Sequence, residues 1–136
     1  MIVRSKANEI LNSLFPNGGN PAKYTYIGLS TTTPTETGAN FTEPASANGY
    51  ERVQLTVMGT ASNAQISNNK IIYFPLVKNA SWGTVSHFGL FSSATGGTPY
   101  FIGAVNSPVV LPVGYAPCFD TKALIIGLDK DSLDLG

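Results

Sequence analysis

The residues able to do chemistry are few and poorly spaced for it. His87 is the only histidine. It alternates with Val85, Gly89 and Phe91 along an extended run, so an ordinary hydrogen-bonded strand residue is the preferred reading over a general base. Serines and aspartates are present for a Ser-His-Asp triad, yet no nucleophile-elbow motif surrounds any serine. Glu36, Glu43 and Glu51 lie in and just after one long loop. A glycosidase needs two carboxyl groups roughly 5–9.5 Å apart, and loop acids more often serve solubility. Asp129, Asp131 and Asp134, beside Ser132, offer oxygen ligands for calcium. They lack the glycine turn and distal glutamate of an EF-hand and read as a solvated tail. One histidine and Cys118 cannot build a tetrahedral zinc site. Gly18-Gly19 and Gly96-Gly97 read as turns and not as phosphate cradles. The expectation is no catalytic residue, no cofactor and no metal.

Composition narrows the class further. The 136 residues suffice for one domain, expected over 1–136, and are too few for two comfortable ones. Only 12% are charged, against a norm of about 25%. Thr, Ser and Asn must supply the polar surface, which suits β-rich proteins that pack side by side with little charge repulsion. A homo-oligomer is therefore expected. Formal net charge is zero, which argues against nucleic acid, whose phosphates demand an excess of Lys and Arg. No polybasic segment suggests a membrane surface, and no apolar run approaches a membrane span. Met1-Ile-Val-Arg-Ser-Lys6 lacks the apolar stretch of a secretory signal, so synthesis in a cytoplasm is expected. Cys118 sits in an apolar run and is expected to fill core volume.

The elements that would position these residues are mostly strands. One short N-terminal helix is expected over 5–15: Ala7, Ile10, Leu11 and Leu14 form an apolar stripe, Ser5 can cap it, and Pro16 ends it. That stripe must dock on its own sheet or on a neighbouring subunit. Tyr24–Ser30 reads as a strand, followed by a long loop over 31–48, rich in Thr, Pro, Gly and Ala and of the length that tends to carry function. In Tyr50–Val57, Val53, Leu55 and Val57 face one side, and Arg52, Gln54 and Thr56 the other. Asn68-Asn69 marks a turn before the strand Lys70–Phe74. Ser107–Pro117 reads as an extended, kinked connection because of Pro108, Pro112 and Pro117. Thr121–Leu128, apolar on both faces, is expected to be a central strand. Residues 129–136 form a tail.

The most telling stretch is Ser81–Phe91 followed by Ala94–Val105. Gly96-Gly97 can adopt the positive φ of a tight hairpin turn. With that pair as the turn, Phe91 faces Ile102 and Gly89 faces Ala104. Trp82, Phe88, Phe91 and Ile102 form the expected hairpin core. Trp82, Phe88, Phe91, Tyr100 and Phe101 could instead line a sugar-binding face, but in a sandwich they more often supply core volume. About seven or eight short strands with regular turn spacing predict an all-β fold, an antiparallel β-sandwich of jelly-roll-like type with the one helix.

The order of motifs resembles a family of small bacteriophage proteins labelled tail or tail-fibre proteins. The shared run begins at Ile10-Leu11…Leu14-Phe15 and continues through Tyr26-Ile-Gly-Leu-Ser-Thr-Thr-Thr-Pro34-Thr35 to Gly38. Thr42-Glu43-Pro44 and Gly49-Tyr50-Glu51-Arg52-Val53 follow. Phe74-Pro75 leads to Ala80-Ser81-Trp82-Gly83-Thr84-Val85-Ser86-His87-Phe88-Gly89-Leu90-Phe91, then Ala94-Thr95-Gly96-Gly97 and a proline-containing segment through Phe119. The likeness extends from the helix to Leu128. One departure is Ser92, where such proteins often carry Asp.

The resemblance implies a non-enzymatic structural protein of the virion, made in the cytoplasm of a bacterial host and packed against other virion proteins in a tail or fibre. Capsid decoration is the alternative, and a carbohydrate-binding module for host glycans a further one. Candidate interface residues are Ile10 and Leu14 on the helix stripe, with Thr33, Pro34, Glu43 and Pro44 on the long loop.

Overall fold

The computed structural model describes residues 8–9, 25–55 and 58–127. Among the described residues eight strands follow in chain order: β1 (Tyr26–Ser30), β2 (Val53–Gln54), β3 (Gln65–Ser67), β4 (Ile72–Tyr73), β5 (Thr84–Phe91), β6 (Phe101–Val110), β7 (Cys118–Phe119) and β8 (Ile125–Gly127). Among the described residues one 3-10 turn lies at Ser46–Asn48. The strands form a four-stranded sheet in the order β2-β1-β5-β6 and two pairs, β3-β8 and β4-β7. Pairing is antiparallel within the large sheet and between β3 and β8. The all-β expectation holds at this level. Among the described residues no second sheet exceeds two strands, so the pairings establish antiparallel β-structure and not a sandwich. The expected helix over 5–15 lies outside the described residues except for Asn8 and Glu9, whose backbone is helical. The tail over 129–136 lies outside them entirely.

The chain groups into two compact units. One comprises Tyr24–Gln54 and Tyr73–Cys118; the other comprises Met1–Lys23, Leu55–Ile72 and Phe119–Gly136. The first holds the large sheet. Ile27, Leu29, Phe88 and Leu90 are buried on one of its faces. On the other face Gly28 of β1 lies directly opposite Gly89 of β5. A Cβ at Gly89 would come within 2.7 Å of the Phe41 ring, and one at Gly28 within 2.8 Å of the Glu43 carboxylate and the Tyr50 hydroxyl. The two glycines open a window in the sheet, and the loop over 31–48 lies across it.

That loop is held by its own composition. The Thr31 amide donates to the Thr42 carbonyl at 2.9 Å, and the Thr35 amide to that of Ala39 at 2.9 Å. The Asn40 side chain donates to the Thr33 carbonyl at 2.9 Å, and the Thr42 amide to Ser30 Oγ at 3.1 Å. Short polar side chains bond readily to nearby backbone, so a threonine-rich segment can close compactly without a strand ladder.

Several expectations are corrected. The hairpin pairs Gly89 with Ile102, Leu90 with Phe101 and Phe88 with Gly103. This is two residues from the expected register, so every side chain keeps its face. Gly96 and Gly97 do have positive φ, 69° and 74°. However, Pro99 has no N–H to give a ladder, and Arg52 takes the Ser93 and Gly96 carbonyls, so the turn widens into a loop. Gly103 accommodates its partner's ring: a Cβ there would lie 2.7 Å from Phe88.

Ser107–Val110, read as connection, belongs to β6. Pro108 is tolerated because β6 is an edge strand and because the register shifts between Val85 and His87, a bulge that sets Pro108 outside the regular pairing. Among the described residues β8 pairs only with β3, and Ile125 is exposed, so the expected cover on both faces is not found there. Cys118 is exposed and not a core filler, because β7 is only two residues long and Cys118 takes its outward position.

In the second unit the core includes Met58, Ile66, Leu124 and Ile126 around a fully buried Asn68. The Asn68 side chain donates to the carbonyls of Lys70 and Asp120, each at 2.8 Å, and accepts from the Leu124 amide at 3.0 Å. Its main chain bonds the Leu124 carbonyl and the Lys122 amide. Asn68, read from sequence as part of a turn, is the hub of this unit.

Candidate functional site

The most concentrated polar chemistry lies where the strap over 31–48 meets β2 and the tip of the β5–β6 hairpin. Arg52 immediately precedes β2 and was expected on the strand's polar face. It is buried instead. Its Nε donates to Glu43 Oε1 at 2.8 Å and its Nη2 to Oε2 at 3.0 Å, the bidentate fork that guanidinium and carboxylate planes favour. Its Nη1 donates to the Ser93 carbonyl at 3.0 Å and the Gly96 carbonyl at 2.8 Å. The guanidinium carbon lies 3.4 Å over the centre of the Phe91 ring, a desolvated cation–π contact. One side chain thus ties the strap to the hairpin loop across a distant stretch of sequence.

Tyr50 completes the cluster. Its hydroxyl donates to Glu43 Oε1 at 2.6 Å and accepts from the Leu29 amide at 3.0 Å. Burial first, and then the hydrogen bond to Glu43, push the phenol well above the ordinary tyrosine range. Its ring meets Trp82 edge to face at 5.3 Å, and the Trp82 indole donates to the Asn48 carbonyl at 2.8 Å. Phe41 meets Phe91 in the same edge-on manner at 5.2 Å. A cleft of about 810 Å³ opens beside this cluster, lined among others by Glu43, Glu51, Arg52, Leu76, Lys78 and Thr95.

The geometry defines what this cluster can do. Both Glu43 oxygens and the Tyr50 hydroxyl are committed to internal partners. A carboxylate and an arginine so held have little hydrogen-bonding capacity left for a ligand. The arrangement is a clamp that fixes two loops. Among the described residues no buried side-chain nitrogen or oxygen lacks a hydrogen-bond partner, and no group of three or more His, Cys, Asp or Glu could hold a metal ion.

The structure distributes the residues singled out from sequence. Glu43 is inside the clamp, Pro44 is buried beside it, Pro34 is half-buried and Thr33 is exposed. Ile10 and Leu14 lie outside the described residues, as do Asp129, Asp131, Asp134, Ser132 and Gly18-Gly19. Glu36 and Glu51 are exposed. Trp82, Phe88 and Phe91 are buried, and Ile102 is half-buried on β6. His87 pairs with Ser30 in the ladder, and its Nδ1 lies 2.8 Å from Ser86 Oγ. Arg52 and Tyr50 were missed. A signal existed: in a chain this poor in charge, Glu43 and Arg52 fall nine residues apart around an aromatic, in a run that the family resemblance shares.

Over residues 2–127 the chain matches a family described as podophage GP4 fiber I protein gp80. No curated protein matches it.

Proposed function

The chain belongs to the podophage fibre I protein family, and from that premise we propose that it is a structural component of a tail fibre, working by packing against other virion proteins. The observation that carries this reading is the family match across nearly the whole chain. The clamp supports it. A fibre part must hold loop shape under load, and Arg52 does so by joining the strap over 31–48 to the hairpin tip through charge-assisted bonds. The strap, with Thr33 at its surface, is the proposed contact segment. The role is non-enzymatic, since the cluster spends its reactive groups on one another. Residues 1–136 act as a single domain: the segments of the two units interleave along the chain, so neither can be excised as one piece. Trp82 is buried with its N–H used, so its ring offers no face to a glycan, whereas Tyr100 is exposed.

Immuno-electron microscopy of intact particles tests the proposal. Label along the fibres is expected. Label confined to the head surface would select capsid decoration instead, and absence from purified particles would remove the virion role altogether.

A further inference from the structure

Asn48-Gly49 is a chemically labile pair at the end of the 3-10 turn. Asparagine is among the thermolabile residues, and it is most labile before glycine, where no Cβ hinders approach to the following nitrogen. Both residues are half-buried. The glycine is one the fold needs. It caps the turn at a φ of 89°, and a Cβ there would lie 2.6 Å from the Leu76 carbonyl. The lability is therefore fixed by the backbone, and the same backbone is tightly held. The Gly49 amide donates to the Ser46 carbonyl at 3.0 Å. The Asn48 carbonyl accepts from the Lys78 amide at 3.0 Å and from the Trp82 indole at 2.8 Å. One residue earlier, the Asn79 side chain donates to the Ala47 carbonyl at 2.6 Å. Trp82 is itself anchored, buried against the Tyr50 ring with its amide bonded to the Leu111 carbonyl at 3.0 Å.

We infer that Asn48 is a latent site of spontaneous deamidation that the fold holds shut, with the Trp82 indole as its catch. In the reaction the Gly49 nitrogen gives its proton to solvent base and bonds to Asn48 Cγ. The Cγ–Nδ2 bond breaks, and Nδ2 takes up a proton from water and leaves as ammonia. Water then opens the resulting imide at one carbonyl or the other, leaving an aspartate or an isoaspartyl link. To bring its nitrogen to Cγ, the Asn48-Gly49 peptide must rotate out of the turn. That rotation breaks the Gly49 bond to Ser46 and swings the Asn48 carbonyl away from Trp82 and Lys78. Deamidation therefore waits on a local opening, and its rate is set by how often these bonds part together. In the isoaspartyl product the backbone runs through the former side chain with one more carbon. The turn then cannot close on Trp82 as before, so each opening that reacts leaves a permanent mark.

The full chain is incubated at neutral pH, folded in one sample and in guanidinium chloride in another, and then cut with trypsin. The peptide over 24–52 carries Asn48-Gly49 and no other Asn-Gly pair, and liquid chromatography with mass spectrometry separates its Asn, Asp and isoaspartyl forms. Conversion in denaturant is expected to exceed that of the folded chain by at least about tenfold. Trp82→Phe keeps an aromatic ring and loses the N–H, and is expected to speed conversion in the folded chain about fivefold, the effect of one hydrogen bond. Asn79→Ala, at an exposed position, should speed it about twofold. The Tyr100 amide, bonded to the Leu90 carbonyl in the sheet, should keep its exchange protection in both variants. Equal conversion in the folded and denatured chain would overturn the inference. So would a Trp82→Phe chain that converts at the native rate, or one whose Tyr100 amide loses protection in step with the conversion.

Discussion

Two buried polar centres organise this molecule, and they are built on opposite principles. In the sheet unit, Arg52 and Glu43 form a charged pair that reaches two carbonyls of the hairpin loop and rests on Phe91. In the other unit, neutral Asn68 gathers the chain by bonding Lys70, Asp120 and Leu124. The asparagine is fully buried, whereas the carboxylate partner of Arg52 keeps about a quarter of its side chain exposed at the cleft wall, 26%. The difference follows from what each must join. Asn68 serves peptide groups close around it in a dry core, where an amide supplies both donor and acceptor without the cost of burying charge. Arg52 must span from strap to hairpin tip, which needs a long side chain with a rigid fork of five donors. A charged clamp is therefore placed where loops must be held, and a neutral hub where core strands meet.

The largest expected effect is at the clamp. Arg52→Ala leaves Glu43 half-buried without its cation and frees two loop carbonyls, so a loss of about 3–5 kcal/mol is expected in chemical denaturation. Hydrogen exchange should show the loosening in residues 92–98 while amides bonded around Asn68 keep their protection. Equal loosening around both centres would break the distinction between them. Asn68→Ala comes next, at about 2–4 kcal/mol, because it strands a buried amide and two carbonyls. Its exchange signature should be the reverse, with Leu124 exposed first. Gly89→Ala is smaller, at about 1–3 kcal/mol, since the Phe41 ring must yield to the added methyl. The thermal transition measures it, and a neutral result would mean that the strap does not press on the glycine window.

These centres also show what sequence could and could not disclose. The strands around Tyr26–Ser30 and Thr84–Phe91 were legible because alternation and β-branched or aromatic residues act locally. The facing of residues across the hairpin was legible too, since a shift of two preserves faces. The register itself was not, because it depends on Arg52 capturing carbonyls more than forty positions away. Gly28 and Gly89 each look like a weak spot in a strand. Only their pairing across β1 and β5 turns them into a seat for Phe41 and Glu43. Asn68 is a turn former by composition, and its burial comes from the return of residues 119–124, which no local pattern announces. Glu43 was singled out as a contact residue, and the arginine that holds it was assigned to the polar face of a strand. Periodicity treats every charged residue as solvated, so a paired and buried arginine is the kind of residue it misplaces.

The smallest effect is also the sharpest test of the contrast, because it depends on pH. The Tyr50 phenol is raised by burial and by Glu43, so the folded chain holds that proton more tightly than the unfolded one. A group raised in this way contributes its full stability below the unfolded value, about 10 for tyrosine. The contribution is lost as pH climbs above that value toward the folded one, at up to about 1.4 kcal/mol per pH unit. Tyr100 is raised as well, by burial, and is present in every variant compared. Tyr50→Phe should therefore be less stable than the native chain at neutral pH, by about 1–2 kcal/mol for the lost bonds. The gap should narrow steadily above about pH 10. Denaturation midpoints measured from pH 7 to 11 follow this directly. Parallel curves for the two proteins across that range would show that Tyr50 ionises as freely in the fold as outside it. The clamp would then be open to water, and its difference from the dry Asn68 hub would be one of charge alone.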